Sequence, residues 1–138
     1  MKFVIGSDHA GRTVKEEVKK ILLNMNFIVE DVSPKNTEYD DYPDYAKKVA
    51  KEVQKGGIGF LSCGTGIGVS IVANKHKGVR AALIHSKEEA ELARKHNDAN
   101  VLVLSGSKKY KDLESIVKTF LTTKFEGGRH NRRVEKIE

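Results

Sequence analysis

The amino-acid sequence predicts one doubly wound α/β domain: a five-stranded parallel sheet with helices on both faces, plus a further short helix at the C-terminal end. Three observations lead there. Short apolar runs alternate with longer segments of helical period along the chain. The 138 residues are the size of a single domain, with enough length to bury a real core. No internal repeat, low-complexity tract or interdomain linker interrupts the alternation, so residues 1–138 read as one unit. Strands alternating with helices imply right-handed crossovers, hence a parallel sheet covered on both sides.

Each element has its own signal. Residues 2–6 (KFVIG) read as the first strand. Val14, Val18, Ile21, Leu22 and Met25 then recur at helical spacing over residues 12–25. Residues 27–32 (FIVEDV) form the second strand. Pro43 suits the first turn of a helix, and Ala46, Val49, Ala50 and Val53 mark that helix's buried face. Residues 58–62 (IGFLS) give strand three, followed by glycines and a helix over roughly 66–76. Residues 79–84 (VRAALI) read as strand four, with 86–96 as its helix, and 100–104 (NVLVL) as strand five. Leu113, Ile116, Val117, Phe120 and Leu121 share one face of a further helix, and a polar helix follows the Gly127–Gly128 break.

Composition excludes several classes. Apolar residues make up 38% and charged residues 32%, an ordinary globular balance. No stretch approaches the roughly 18 apolar residues needed to cross a bilayer, and the start MKFVIGSDHAG is not expected to be a signal peptide. One cysteine, Cys63, forms no internal disulfide, which fits a reducing, cytoplasmic setting. The net charge of +6 raises the question of nucleic acid. Lysines lie beside glutamates in VKEEVKK and KEEAELARK, however, as on solvated helix faces, and no aromatic residues interleave with basic ones as a stacking platform. The expected partner is a small anion rather than a nucleic acid or a membrane, with GGRHNRRVE able to supply a local basic pocket.

In open parallel sheets, ligands sit beyond the carboxyl ends of the strands. SDHAG, CGTGIG, the His85 turn and GSKK fall there, and His96-Asn97, closing the helix after strand four, is expected to swing back toward the same rim. Residues Gly6–Thr13 nearly match a P-loop, but Arg12 replaces its lysine, and Asp8 would repel a polyphosphate. The spacing Gly64-Thr65-Gly66-Ile67-Gly68 is not that of a dinucleotide fold, whose third glycine position holds Val69. Closely spaced glycines before a helix instead form an anion nest, suited to an oxyanion that develops during reaction. Cys63 precedes it, where a helix N-terminus favours thiolate. A buried structural cysteine is the competing reading. Asp8 can equally be an N-cap, His96 a favourable charge at a helix C-terminus, and Arg129, His130, Arg132 and Arg133 a solvated face. The five histidines share no close ligand spacing, so no metal is expected. Together, a thiol, an anion nest, a carboxylate, imidazoles and guanidiniums suit proton transfer beside the carbonyl of a small phosphorylated molecule.

The segments SDHAG, DYPDYA, CGTGIG, ANK, HND-AN-VL and EGGRH-NRRV, in this order, resemble type B ribose-5-phosphate isomerase, within a wider family that includes the galactose-6-phosphate isomerase subunits. The likeness runs from about residue 3 to 135. It implies a cofactor-free aldose–ketose isomerase, a homodimer or higher homo-oligomer whose sites are shared between subunits, with the segment from about 127 onward packed against a partner. Carried over by resemblance, Cys63 would be the base between sugar carbons one and two. Thr65 and His96 would assist ring opening, and the amides of Gly64, Gly66, Ile67 and Gly68 would hold the enediolate. Asp8, Tyr42 and Asn97 would contact the sugar, and His9, Arg129 and Arg133, with His130, the phosphate. Some members use a glutamate further along as base, but this chain has Val72 and Ala73 in that neighbourhood and keeps Cys63. Lys108 stands where arginine is frequent, keeping the charge without the bidentate fork. An isomerase of galactose or allose 6-phosphate, or a sugar-phosphate-binding module without chemistry, are the alternatives.

Overall fold

Phe3, Ile5, Phe60, Leu102 and Leu104 fill one side of a parallel sheet, and Val4, Leu61, Val101 and Val103 the other. All nine are buried, as strands sandwiched between helix layers must be. The computed structural model describes residues 2–137. In chain order the elements are β1 (Lys2–Ser7), α1 (Arg12–Asn24), β2 (Ile28–Asp31), α2 (Tyr42–Val53), β3 (Ile58–Cys63), α3 (Ile67–Asn74), β4 (Ala81–Leu83), α4 (Lys87–Asn97), β5 (Val101–Ser105), α5 (Leu113–Thr122) and α6 (Arg129–Glu135). The helices α1, α4 and α5 pack on the first side and α2 and α3 on the second, giving three layers. The expected doubly wound, Rossmann-like fold is observed.

The sheet order is β2-β1-β3-β5-β4, with every pairing parallel. From β1 the chain moves outward to β2, then returns across β1 to β3 and continues in the other direction. The carboxyl ends of β1 and β3 therefore flank the switch point, where the connections leave in opposite directions. Asp8 and Cys63 stand at those two ends.

Two elements are shorter than their sequence signals. β4 spans three residues rather than 79–84, because the Arg80 N–H is taken by the Asn100 side chain instead of the ladder. α3 stops at Asn74 rather than near 76: the Lys75 and His76 N–H groups tighten onto Val72 and Ala73 carbonyls, and Gly78 then turns at φ 81°. No described helix is long and apolar enough to cross a membrane.

Candidate active site

The loop after β3 is built by close approaches that only glycine allows. Gly66 is left-handed, at φ 81°, immediately before α3. Gly68, in the first turn of α3, lies under the Tyr42 ring; a Cβ there would sit 2.5 Å from Tyr42 Cε1. The Gly64 carbonyl accepts from Ser105 Oγ at 2.9 Å and from the Ser107 N–H at 3.0 Å, tying this loop to the one after β5. Thr65 Oγ1 accepts from the Ile67 N–H at 3.2 Å. The loop is thus fixed before any ligand arrives.

Cys63 ends β3 with 5% of its surface exposed and belongs to the apolar cluster beneath α2 and α3. Its carbonyl accepts from the Gly106 N–H at 2.8 Å. Asp8, also buried, caps the short turn His9–Gly11 by accepting from the Gly11 N–H at 3.0 Å. The capping role expected for it is real, and it uses one carboxylate oxygen. Tyr42 opens α2 behind Asp41 and brings its ring over the glycine loop. Asp8, His9, Tyr42 and Cys63 with Gly64, Gly66, Ile67 and Gly68 therefore gather at the carboxyl edge.

His9 has a partner that no sequence signal announces. Its ring Nδ1 lies 2.6 Å from Asp40 Oδ1, which also accepts the His9 backbone N–H at 2.9 Å. The other carboxylate oxygen accepts from Asn36, Tyr45 and the Thr37 N–H. Burial alone would raise the Asp40 pKa, but the bonds from Asn36, His9 and Tyr45 outweigh it and hold the carboxyl far below its ordinary range. The same contact raises the His9 ring above the ordinary imidazole value, against a smaller effect of burial.

His96 and Asn97 do not swing back to this rim. α4 runs antiparallel to the strands, so its last turn ends at their amino edge. There the Asp98 carbonyl and carboxylate hold Arg80, and Asn100 bonds the Arg80 N–H and the Gly78 carbonyl, just before β4. The Asn100 carbonyl meets the Gly59 N–H near the start of β3, which places this corner about 13 Å from Cys63 along the strand. A second cluster forms here. The His130 ring of α6 stacks on His96, with centroids 4.4 Å apart and planes 15° from parallel. Glu126 Oε2 lies 4.0 Å from His96 Nε2 and 3.9 Å from His130 Nε2. Histidines far apart in sequence thus meet, contrary to what spacing implied. One ligand atom from each of His96, Glu126 and His130 lies within 4.8 Å of the others. Burial, with the neighbouring His96 and Arg129 charges, lowers the His130 pKa. A cavity of about 350 Å³ opens between His96, Asn97, His130 and Arg133. Arg129 stands on the same short helix, exposed. Lys108 donates to the His85 carbonyl at 3.0 Å, at the carboxyl edge.

One chain thus carries two clusters, a thiol beside a glycine nest and a basic imidazole pair, at opposite ends of one sheet. The first defines a doubly wound α/β protein with a buried thiol and a glycine loop at its switch point. The chain belongs to the ribose/galactose isomerase family, whose model matches residues 3–137. It is 49% identical to a probable ribose-5-phosphate isomerase B of Mycoplasma genitalium (96% of this chain, 91% of the relative). It is 41% identical to ribose-5-phosphate isomerase B of Escherichia coli (99% and 93%). A ribose 5-phosphate isomerase from Thermotoga maritima superposes with a TM-score of 0.94 at 50% identity, covering 99% and 96% of the two chains. Ribose-5-phosphate isomerase B of Mycoplasma genitalium, solved with bound ribulose 5-phosphate, superposes at 0.92 with 47% identity, covering 99% and 93%.

Proposed function

We propose that this chain interconverts ribose 5-phosphate and ribulose 5-phosphate, in sites assembled between two copies. The observation that carries the reading is Cys63 at the switch point against a pre-fixed glycine nest, in a chain 47% identical to a relative solved with ribulose 5-phosphate. The separation of the two clusters supports shared sites, since neither edge of one chain holds both. Ile67 and Ile71, one turn apart on α3, are 54% and 57% exposed beside the nest, an apolar face suited to a second copy.

In this reading the sugar lies between Asp8 and Tyr42 of one copy and Asn97 of the other. Thr65 and the second copy's His96 exchange protons with the ring oxygen and the anomeric hydroxyl, opening the ring. Cys63 thiolate then takes the proton from carbon two, and the electron pair moves to the carbonyl oxygen on carbon one. The loop amides stabilise the resulting enediolate; preorganised donors of this kind are worth roughly 3 kcal/mol each. A proton passes between the two oxygens, and the Cys63 thiol returns its proton to carbon one, so the step needs no redox partner. His9 and the second copy's Arg129, His130 and Arg133 anchor the phosphate.

The test is turnover of ribose 5-phosphate in chelator, with Cys63→Ala in parallel. Wild-type activity that falls about 10²–10⁴-fold in a folded variant supports a thiol base. Near-normal activity in the variant removes Cys63 from the chemistry and leaves the isomerase. No wild-type turnover moves the reading to galactose or allose 6-phosphate, and inactivity there leaves a binding module.

A further inference from the structure

We infer that Asp40 is a positioning residue for substrate binding: it fixes the His9 imidazole with Nδ1 turned to the protein and leaves Nε2 to meet the phosphate. This rests on the isomerase reading above, in which His9 is a phosphate ligand.

The bond pattern separates this role from ordinary loop support. Asp40 Oδ2 serves the loop, accepting from Asn36 Nδ2 at 2.8 Å, Tyr45 OH at 3.0 Å and the Thr37 N–H at 3.2 Å. Oδ1 serves His9 alone, holding its backbone N–H and its ring nitrogen together. A residue gripped at both ends by one oxygen has little freedom left about its side-chain torsions. Asp40 is itself anchored to the end of β1, because Asn36 also donates to the Ser7 carbonyl at 2.9 Å. Arg12 donates to the Asn36 side-chain oxygen and to the Pro34 carbonyl, bracing the loop from α1. The His9 side chain is 44% exposed while the carboxylate holding it is 8% exposed. An outward-facing ring on a largely buried, oversupplied carboxylate is arranged to bind something outside.

Charge supports the same assignment. The charged groups acting on His9 are Asp8, Glu38 and Asp40, all acidic, so the imidazolium persists to higher pH than in a free histidine. A sugar phosphate loses its second proton near pH 6. Above that pH the ligand is a dianion, and a protonated His9 offers it a charge-assisted Nε2–H donor. With Nδ1 committed to Asp40, that donor has a single direction.

The experiment follows the His9 ring by NMR in wild type, Asp40→Asn and Asn36→Ala/Tyr45→Phe, with inorganic phosphate as probe. KM and kcat for ribose 5-phosphate are measured from pH 6 to 9 alongside. Wild-type His9 is expected to titrate above about 6.5, to fall toward that ordinary value in Asp40→Asn, and to shift on adding phosphate. KM of Asp40→Asn should rise several-fold more at pH 8 than at pH 6, with kcat nearly unchanged. The double variant, which removes two donors from Asp40 Oδ2 but keeps the Oδ1 contact with His9, should lower melting temperature and move the His9 titration less than Asp40→Asn does. An unmoved His9 titration in Asp40→Asn, or a KM change equal at all pH values, overturns the inference. If Asp40→Asn does not fold, a wild-type His9 titrating at or below the ordinary value overturns it equally. His9 answering to Asp40 but not to phosphate also sinks it. Absence of turnover in every protein instead refutes the isomerase reading, while the phosphate titration still judges the dyad.

Discussion

Cys63 and His96 stand at opposite ends of the same sheet, one closing β3 at its carboxyl edge and the other in the last turn of α4 at the amino edge. If each site takes one residue from each of two copies, damage to the two residues is separable. A hybrid of a Cys63→Ala chain and a His96→Ala chain then has one site with both lesions and one site intact. Each variant alone is expected to be inactive, and co-refolding them in equal amounts should restore about a quarter of wild-type activity, since half the dimers are hybrids with one working site. The measurement is turnover after mixing and separation of dimers. No recovery above the single variants means that sites are not shared in this way.

How much of this was readable beforehand depends on how local each signal is. Asp8, Cys63 and the glycines lie directly at strand ends, so alternation of elements alone placed them on one edge, whereas Tyr42, well past the end of β2, was named by the family resemblance alone. His96 failed that test because an 11-residue helix returns about 16 Å along the sheet before it ends. The sequence offers no way for residues 96–97 to recross that distance within one chain. The His96–His130 stack joins residues on two helices whose contact no periodicity announces. Asp40 lies in an aperiodic loop, where nothing marks an aspartate that accepts five hydrogen bonds from one that faces water.

Gly66 and Gly68 should respond differently to alanine. At Gly66 the left-handed backbone and a Cβ 2.6 Å from Leu83 Cδ1 and 3.2 Å from the Leu104 carbonyl oxygen leave no easy relief. Gly66→Ala is expected to destabilise by about 1–3 kcal/mol. At Gly68 the obstruction is the far end of the Tyr42 ring, which is 39% exposed and free to turn outward. Gly68→Ala should therefore cost under about 1 kcal/mol of stability but raise KM, and adding Tyr42→Ala should change little further. Urea melts and kinetics on the three proteins decide it. Equal loss of stability at both glycines contradicts the assignment.

Lys15 is wholly buried and holds both oxygens of Asp31, at 2.9 and 3.2 Å, and the Ser33 carbonyl at 2.7 Å. Burial alone would raise the Asp31 pKa, but the bonds from Lys15, the Ser33 N–H and Lys19 bring it below the ordinary value. A depressed carboxylate contributes stability that is present above its unfolded pKa, near 4, and lost as pH falls through the folded value. Lys15→Met leaves Asp31 with Lys19 alone as cation and is expected to cost about 3 kcal/mol at pH 7. The penalty should shrink at pH 3, where Asp31 begins to take up its proton. Urea unfolding at the two pH values measures the difference, and a penalty independent of pH would mean lost packing rather than a lost ion pair.

His130 makes the C-terminal helix sensitive to acid. Its ring is buried against His96, its Nε2 has no hydrogen-bond partner among the described residues, and Arg129 and Arg133 stand on the same helix while Glu126 acts in the opposite sense. Its pKa is lowered by burial first, then by His96 and Arg129. For a histidine lowered in the folded state, the stabilising contribution is complete above the ordinary value near 6.5 and is lost as pH falls through the folded one. Protonation would place a charge in the stack beside His96 and two guanidiniums, so α6 should loosen before α5 does. Amide exchange of residues 129–135, compared with 113–122 between pH 7.5 and 5, should show protection lost selectively in the first segment. His130→Phe keeps a neutral ring against His96 and should flatten that pH dependence. If both segments lose protection together, or if His130→Phe behaves as wild type, the titrating group lies elsewhere and His130 serves α6 only as packing.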